Sequence, residues 1–191
     1  MPRKVIIDCD PGQDDAVALF LAMASPKELE ILGITTVAGN VPIELTQRNA
    51  RMMCDIAGRK ELRVFAGCDR PMTLPPITAE YIHGDTGIDG VDVFDPETPL
   101  QEQHAVDFIV ETLLAADESS VTLVPTGPMT NVATAIRREP AMLGRVEQIV
   151  NNYARMSFNF GPTLLSWIEA FDHDTYQKIL QADRESAQAN D

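Results

Sequence analysis

Apolar positions along the chain switch between two periods. A short β-branched run at residues 5–9 is ended by Asp-Pro-Gly and reads as a buried strand. Residues 13–24 follow with helical spacing. Residues 30–38, rich in Ile, Thr and Val, read as a second strand. A second helix spans 43–57 and stops at Gly58, and a third strand covers 62–66. Residues 67–99 carry many Pro, Gly and Asp with no sustained period, which predicts a long loop region. Helical spacing returns with Val106, Ile109, Val110, Leu113 and Leu114 on one face. A strand at 121–125, a helix at 131–138 and the start of another strand at 146–150 complete this part.

Strands alternating with helices predict βαβ units. The expected fold class is α/β: a mostly parallel, Rossmann-like sheet with helices on both faces. Ligands of such sheets bind beyond the carboxyl ends of the strands. Residues 8–15, 36–40 and 126–131 all fall at such ends, so three segments converge on one rim. Beyond residue 150 the pattern reads as a helical tail, with Leu164, Leu165, Ile168 and Phe171 and then Tyr176, Ile179 and Leu180 at helical spacing. Trp167 and this apolar face are expected to bury against the sheet or a second subunit, or to stay exposed and sticky. The expected organisation is an α/β domain over 1–150 and a tail of different origin over 151–191.

The chain has 191 residues, enough to bury one sizeable core. Its formal charge of −14 argues against nucleic acid or an anionic membrane as the main partner. The three cysteines, Cys9, Cys54 and Cys68, are widely spaced and form no CxxC pair, so neither a disulfide framework nor a zinc site is expected. No leader peptide or membrane-spanning run is visible, and a cytoplasmic location is the default expectation.

The densest chemistry is DCDPGQDD, which puts Asp8, Asp10, Asp14 and Asp15 at the end of a strand and the start of a helix. Asp8 and Asp10 alternate along the strand and share a face. Asp14 and Asp15 occupy the first helical turn, where the dipole favours negative charge. Four such charges repel one another unless a cation or protons intervene. The oxygen-only donor set suits a hard cation such as Ca²⁺ or Mg²⁺. The plainer alternative makes Asp14 or Asp15 a simple helix-start carboxylate. An Asp directly after Val5-Ile6-Ile7, however, needs a strong compensating partner. Other positions also have two readings. Asn40 is a turn residue or a ligand-binding amide. His83 is a solvated or a functional loop histidine. Thr126-Gly127-Pro128 is a strand-to-helix turn, Asn131 a cap or packing residue, and His104 a solvent-facing helix start.

The stretch MPRKVIIDCDPGQDDAVAL strongly resembles the N-terminal signature of the inosine-uridine-preferring nucleoside hydrolases. The resemblance continues through LGITTVAGN, TQRNA, AGCDRP, IHGDTG and TLVPTGPMTN, in that order, and covers residues 1 to about 150. It implies water-dependent cleavage of the N-glycosidic bond of a small-molecule ribonucleoside, giving ribose and a free base. It further implies Ca²⁺ as cofactor, with Asp10, Asp15 and the carbonyl of Thr126 as ligands and Asp8 in the same shell. Asp10 would also take the proton from the attacking water. Asp14 and Asn40 would hold the ribose hydroxyls, and His83 would lie near the base or the ribose 5′ end. A homo-oligomer is expected on the same ground.

After Val150 the family pattern stops. The expected Glu-Phe-Asn segment, the late calcium-binding Asp and a His near the leaving base are absent, which predicts weak or absent turnover for this chain. Residues 149–188, with SFNFGPTLL, resemble instead a segment of family-57-type glycoside hydrolases, without that family's catalytic acids. The rival enzymatic reading is a haloacid-dehalogenase-like, Mg-dependent phosphatase, whose DxD motif the Pro-Gly-x-Asp-Asp continuation fits poorly. The non-enzymatic rival is a cation- or ribose-binding remnant.

Overall fold

The structure, a computed structural model, describes residues 1–150. The helical tail and most of the segment resembling family-57 enzymes lie outside the described residues.

Strand β1 (Arg3–Cys9) is buried from Val5 onward, as its β-branched run requires of a central parallel strand. Helix α1 (Gln13–Met23) starts three residues after Asp10. It is followed by β2 (Leu29–Thr36), α2 (Ile43–Ile56) and β3 (Val64–Ala66). Then come the short α3 (Glu80–His83) and β4 (Leu100–Gln101), and after them α4 (Ala105–Ala115), β5 (Val121–Pro125) and α5 (Thr130–Arg138). A 3₁₀ turn at Pro140–Arg145 leads into β6 (Val146–Ile149).

The strands form one six-stranded sheet in the order β4-β3-β2-β1-β5-β6, and every neighbouring pair is parallel. Alternate residues of β1 enter opposite layers. Val5, Ile7 and Cys9 join Leu19 and Met23 of α1 and Ala50 and Met53 of α2 in one apolar cluster. On the other side Phe65 of β3 stacks on Phe108 of α4, ring centroids 3.9 Å apart. The expected α/β class and its parallel sheet are therefore present. Most expected elements appear within two residues of their predicted bounds. The additions are α3, β4 and the 3₁₀ turn. β4 pairs over two residues only, too short to leave a period in the sequence.

The strand order places the site. The chain builds outward from β1 through β2 and β3 to β4, then returns to lay β5 on β1's other flank. This reversal opens a crevice beyond the carboxyl ends of β1 and β5, where such sheets bind ligands. Asp8 is paired in register with Thr35 of β2 and Pro125 of β5, so three strands end at one level. Among the described residues, no helix is long and apolar enough to cross a membrane.

Candidate active site

Asp10, just past β1, is almost wholly buried. Its Oδ2 accepts the Asn40 backbone N–H at 2.8 Å, and the Asn40 side-chain amide donates to the Asp10 carbonyl at 2.8 Å. The Asp10 N–H donates to Asp15 Oδ2 at 3.0 Å, closing the turn through Pro11 and Gly12. Two glycines form a cradle around the carboxylate. A Cβ at Gly39 would sit on Asp10 Oδ2, and one at Gly127 would come within 2.6 Å of Oδ1. Only a residue without a side chain lets the backbone approach an acid so closely.

Asp8 is the hub beneath this pair. Its Oδ1 accepts the Thr35 hydroxyl at 2.6 Å and the Asn131 amide at 2.8 Å, while its Oδ2 is buried without a partner. Its carbonyl accepts the N–H groups of Thr126 at 2.8 Å and Gly127 at 3.2 Å, which ties the end of β5 to β1.

Burial dominates the electrostatics. Desolvation pushes Asp8 up to about 7, against the pull of its Asn131 and Thr35 hydrogen bonds. It pushes Asp15 up to about 6, with the Thr126 side chain opposing and the Asp14 charge adding. Asp10 is raised well above the usual carboxylate range, first by burial and then by the Asp15 charge. Three buried acids that resist ionisation invite a positive partner.

The donor set fits a hard cation in kind: carboxylate oxygens, one of them a buried Asp8 oxygen lacking a partner. The fit is to part of a coordination shell. Among the described residues, no group of three or more His, Cys, Asp or Glu side chains is arranged to hold a metal by itself.

The remaining candidates are placed unevenly. Asn40 and Thr126 join the corner through the bonds above. Asp14, in the first turn of α1, is exposed. His83 closes α3, and its Nδ1 lies 2.6 Å from Gln13 Oε1. A second tie, the Ala79 N–H donating to the Asn40 carbonyl at 2.8 Å, holds the same loop against the corner. His104 caps α4, its Nδ1 accepting the Val106 N–H at 3.2 Å, which accounts for its place at a helix start. Sequence reasoning missed the connecting roles of Asn131, Thr35 and Gln13. A buried amide at a helix start carries no local signal of what lies across the sheet.

The profile of the family described as "Inosine-uridine preferring nucleoside hydrolase" matches residues 5–151. The chain belongs to this family. An inosine-uridine preferring nucleoside hydrolase of Leishmania major is 47% identical over 152 residues, covering 78% of the chain and 48% of the relative. A pyrimidine-specific ribonucleoside hydrolase of Escherichia coli O157:H7 is 45% identical over 151 residues, 78% of the chain and 46% of the relative. Among solved structures, a purine-preferring ribonucleoside hydrolase from Gardnerella vaginalis superposes with a TM-score of 0.72 at 35% identity, covering 78% of the chain and 48% of that structure. This member of the nucleoside hydrolase family thus spans about half the length of these relatives. The matches favour the hydrolase over the haloacid-dehalogenase-like phosphatase. None of them supports the resemblance of residues 149–188 to family-57-type enzymes.

Proposed function

We propose that this chain carries the acidic half of a ribonucleoside hydrolase site that uses Ca²⁺ to cleave the bond between ribose and base. The observation that carries the reading is the buried Asp10–Asp15 pair at the β1/β5 crevice, cradled by Gly39 and Gly127. Support also comes from relatives whose names include inosine-uridine preferring, pyrimidine-specific and purine-preferring enzymes. What they share is a ribonucleoside, so that is the substrate class proposed.

Asp10, Asp15, the Thr126 carbonyl and Asp8 are the residues that would hold the cation. When bound, it would lower the pKa of water and orient hydroxyl groups. Asp10 serves as the general base that takes the proton from the attacking water. Cleavage of the C–N bond leaves positive charge on the sugar, as in other glycoside hydrolysis. The carboxylates of this corner favour that charge electrostatically. Asp14, open to solvent at the mouth, and Asn40 hold the ribose hydroxyls. His83 serves the base or the 5′ end. A homo-oligomer belongs to the same reading and rests on the family resemblance, while a cytoplasmic location is proposed only as the default.

The test is base release from inosine and uridine by the purified chain, with calcium and with a chelator. The expected result is calcium-dependent release that Asp10→Asn lowers by at least about a hundredfold. Release indifferent to both chelator and substitution would overturn the reading. Calcium-dependent thermal stabilisation with no release would point instead to a cation-binding chain without turnover.

A further inference from the structure

We propose that Asn131 is a positioning residue of the acidic corner, one amide that fixes the ends of the central strands around Asp8; the inference rests on the cation-assisted reading above. Asn131 is the second residue of α5 and is fully buried. Its Nδ2 donates to Asp8 Oδ1 at 2.8 Å and to the Thr36 carbonyl at 2.9 Å, and its Oδ1 accepts the Cys68 N–H at 2.8 Å. These partners lie at the end of β1, on the last residue of β2, and two residues past β3.

Asp8 extends the tie to a fourth strand, because its carbonyl receives the N–H groups of Thr126 and Gly127 after β5. One side chain therefore joins β1, β2 and β3 directly, and β5 through Asp8.

The three bonds all leave α5, so Asn131 does not act as the helix cap that its position suggests. They also fix the amide's orientation, with both donors aimed at oxygens and the acceptor at an N–H. An apolar group of the same size reproduces neither side, and a carboxylate reproduces only the acceptor. The partner Asp8 has no spare hydrogen bond to fall back on: without Asn131 its carboxylate keeps only the Thr35 hydroxyl, since Oδ2 has none. Gly67 guards the arrangement, because a Cβ there would overlap the Asn131 Oδ1. Groups of this kind, which hold ligands without touching the ion, commonly change metal affinity by about 10- to 100-fold when removed.

The test uses the full chain and two variants that disturb the amide independently, Asn131→Ala and Gly67→Ala. Leu113→Ala, a buried substitution in α4, serves as a control for general destabilisation. Calcium affinity is measured by titration calorimetry. Amide hydrogen exchange at Cys68, Thr126 and Gly127 is measured in metal-free protein. The expected result is an affinity about tenfold weaker in both variants, with exchange at all three amides faster than in Leu113→Ala, which leaves the affinity unchanged. A chain lacking Asn131 that binds calcium within about twofold of the parent overturns the proposal. So does a control that loses affinity equally, because the effect is then only lost stability. If the parent binds no calcium, the cation reading falls and the exchange data decide Asn131 alone. Exchange at Thr126 and Gly127 faster than in Leu113→Ala upholds it, and exchange no faster than in that control overturns it.

Discussion

Residues 8–15 and residues 67–99 are both rich in aspartate, proline and glycine, yet the fold treats them in opposite ways. In the first stretch Asp8, Asp10 and Asp15 are buried, and their bonds reach Thr35, Asn40, Thr126 and Asn131. In the second, apolar side chains stand in solvent: Ile77 is 79% exposed, Tyr81 86% and Ile82 62%. That loop is held at a few points. Ala79 donates to Asn40, His83 meets Gln13, the Asn49 amide donates to the Thr86 carbonyl, and the Asp55 carboxylate receives the Glu97 and Thr98 N–H groups. Polarity in the sequence thus says little about burial. What separates the two stretches is whether neighbouring strands end close enough to supply partners.

The contrast breaks most sharply at Asp10. Asp10→Asn keeps the shape of the buried corner but removes the proposed base. Turnover of inosine should drop by about a hundred- to ten-thousand-fold in steady-state assays. Next in size is the response of the metal-free chain to pH. Asp8 titrates at about 7 and Asp15 at about 6, both raised above 3.8. Between about pH 4 and 7 the folded chain therefore binds more protons than the unfolded one, and stability falls as pH rises. Melting temperatures should drop between about pH 5 and about pH 8, and calcium should recover more of the loss at the higher pH. Equal melting points at both would contradict the burial of these acids.

Asn49 links the two stretches, since its amide donates to the Pro11 carbonyl at 3.2 Å and to the Thr86 carbonyl at 3.0 Å. Asn49→Ala strands the Pro11 carbonyl, leaves the Thr86 carbonyl only a 3.5 Å bond from the Arg48 guanidinium, and should cost about 1–3 kcal/mol in urea melts. Gln13→Ala cuts the His83 contact and the bond to the Asp89 carbonyl. Its expected effect is faster proteolytic nicking between residues 79 and 89, with the global melt little changed. Smallest of all, Tyr81→Ser should shift stability by no more than about 0.5 kcal/mol, because the ring has little packing to lose.

Much of this was legible in the chain itself. The apolar run before Asp8 ends in a strand because β-branched residues in a short block are buried on both faces of a parallel sheet. The strand at Val121–Pro125 appears with its expected bounds. The clustering of Asp8, Asp10 and Asp15 followed from local geometry, since strand alternation and a first helical turn bring them together. Local pattern could not show the partners across the sheet. Thr35 is 27 residues from Asp8 and Asn131 is 123, and only the strand order joins them. The short α3 and β4 were also hidden, since four and two residues are too few to establish a period.

The cradle around Asp10 has a consequence for how this chain can vary. Positions 39 and 127 supply no side chain, yet even alanine at either would collide with the acid. In a library of random variants scored for function, both glycines should prove as immutable as the aspartate they enclose. A map of mutational tolerance would then single out, beside the proposed base, two sites that lend it nothing but room.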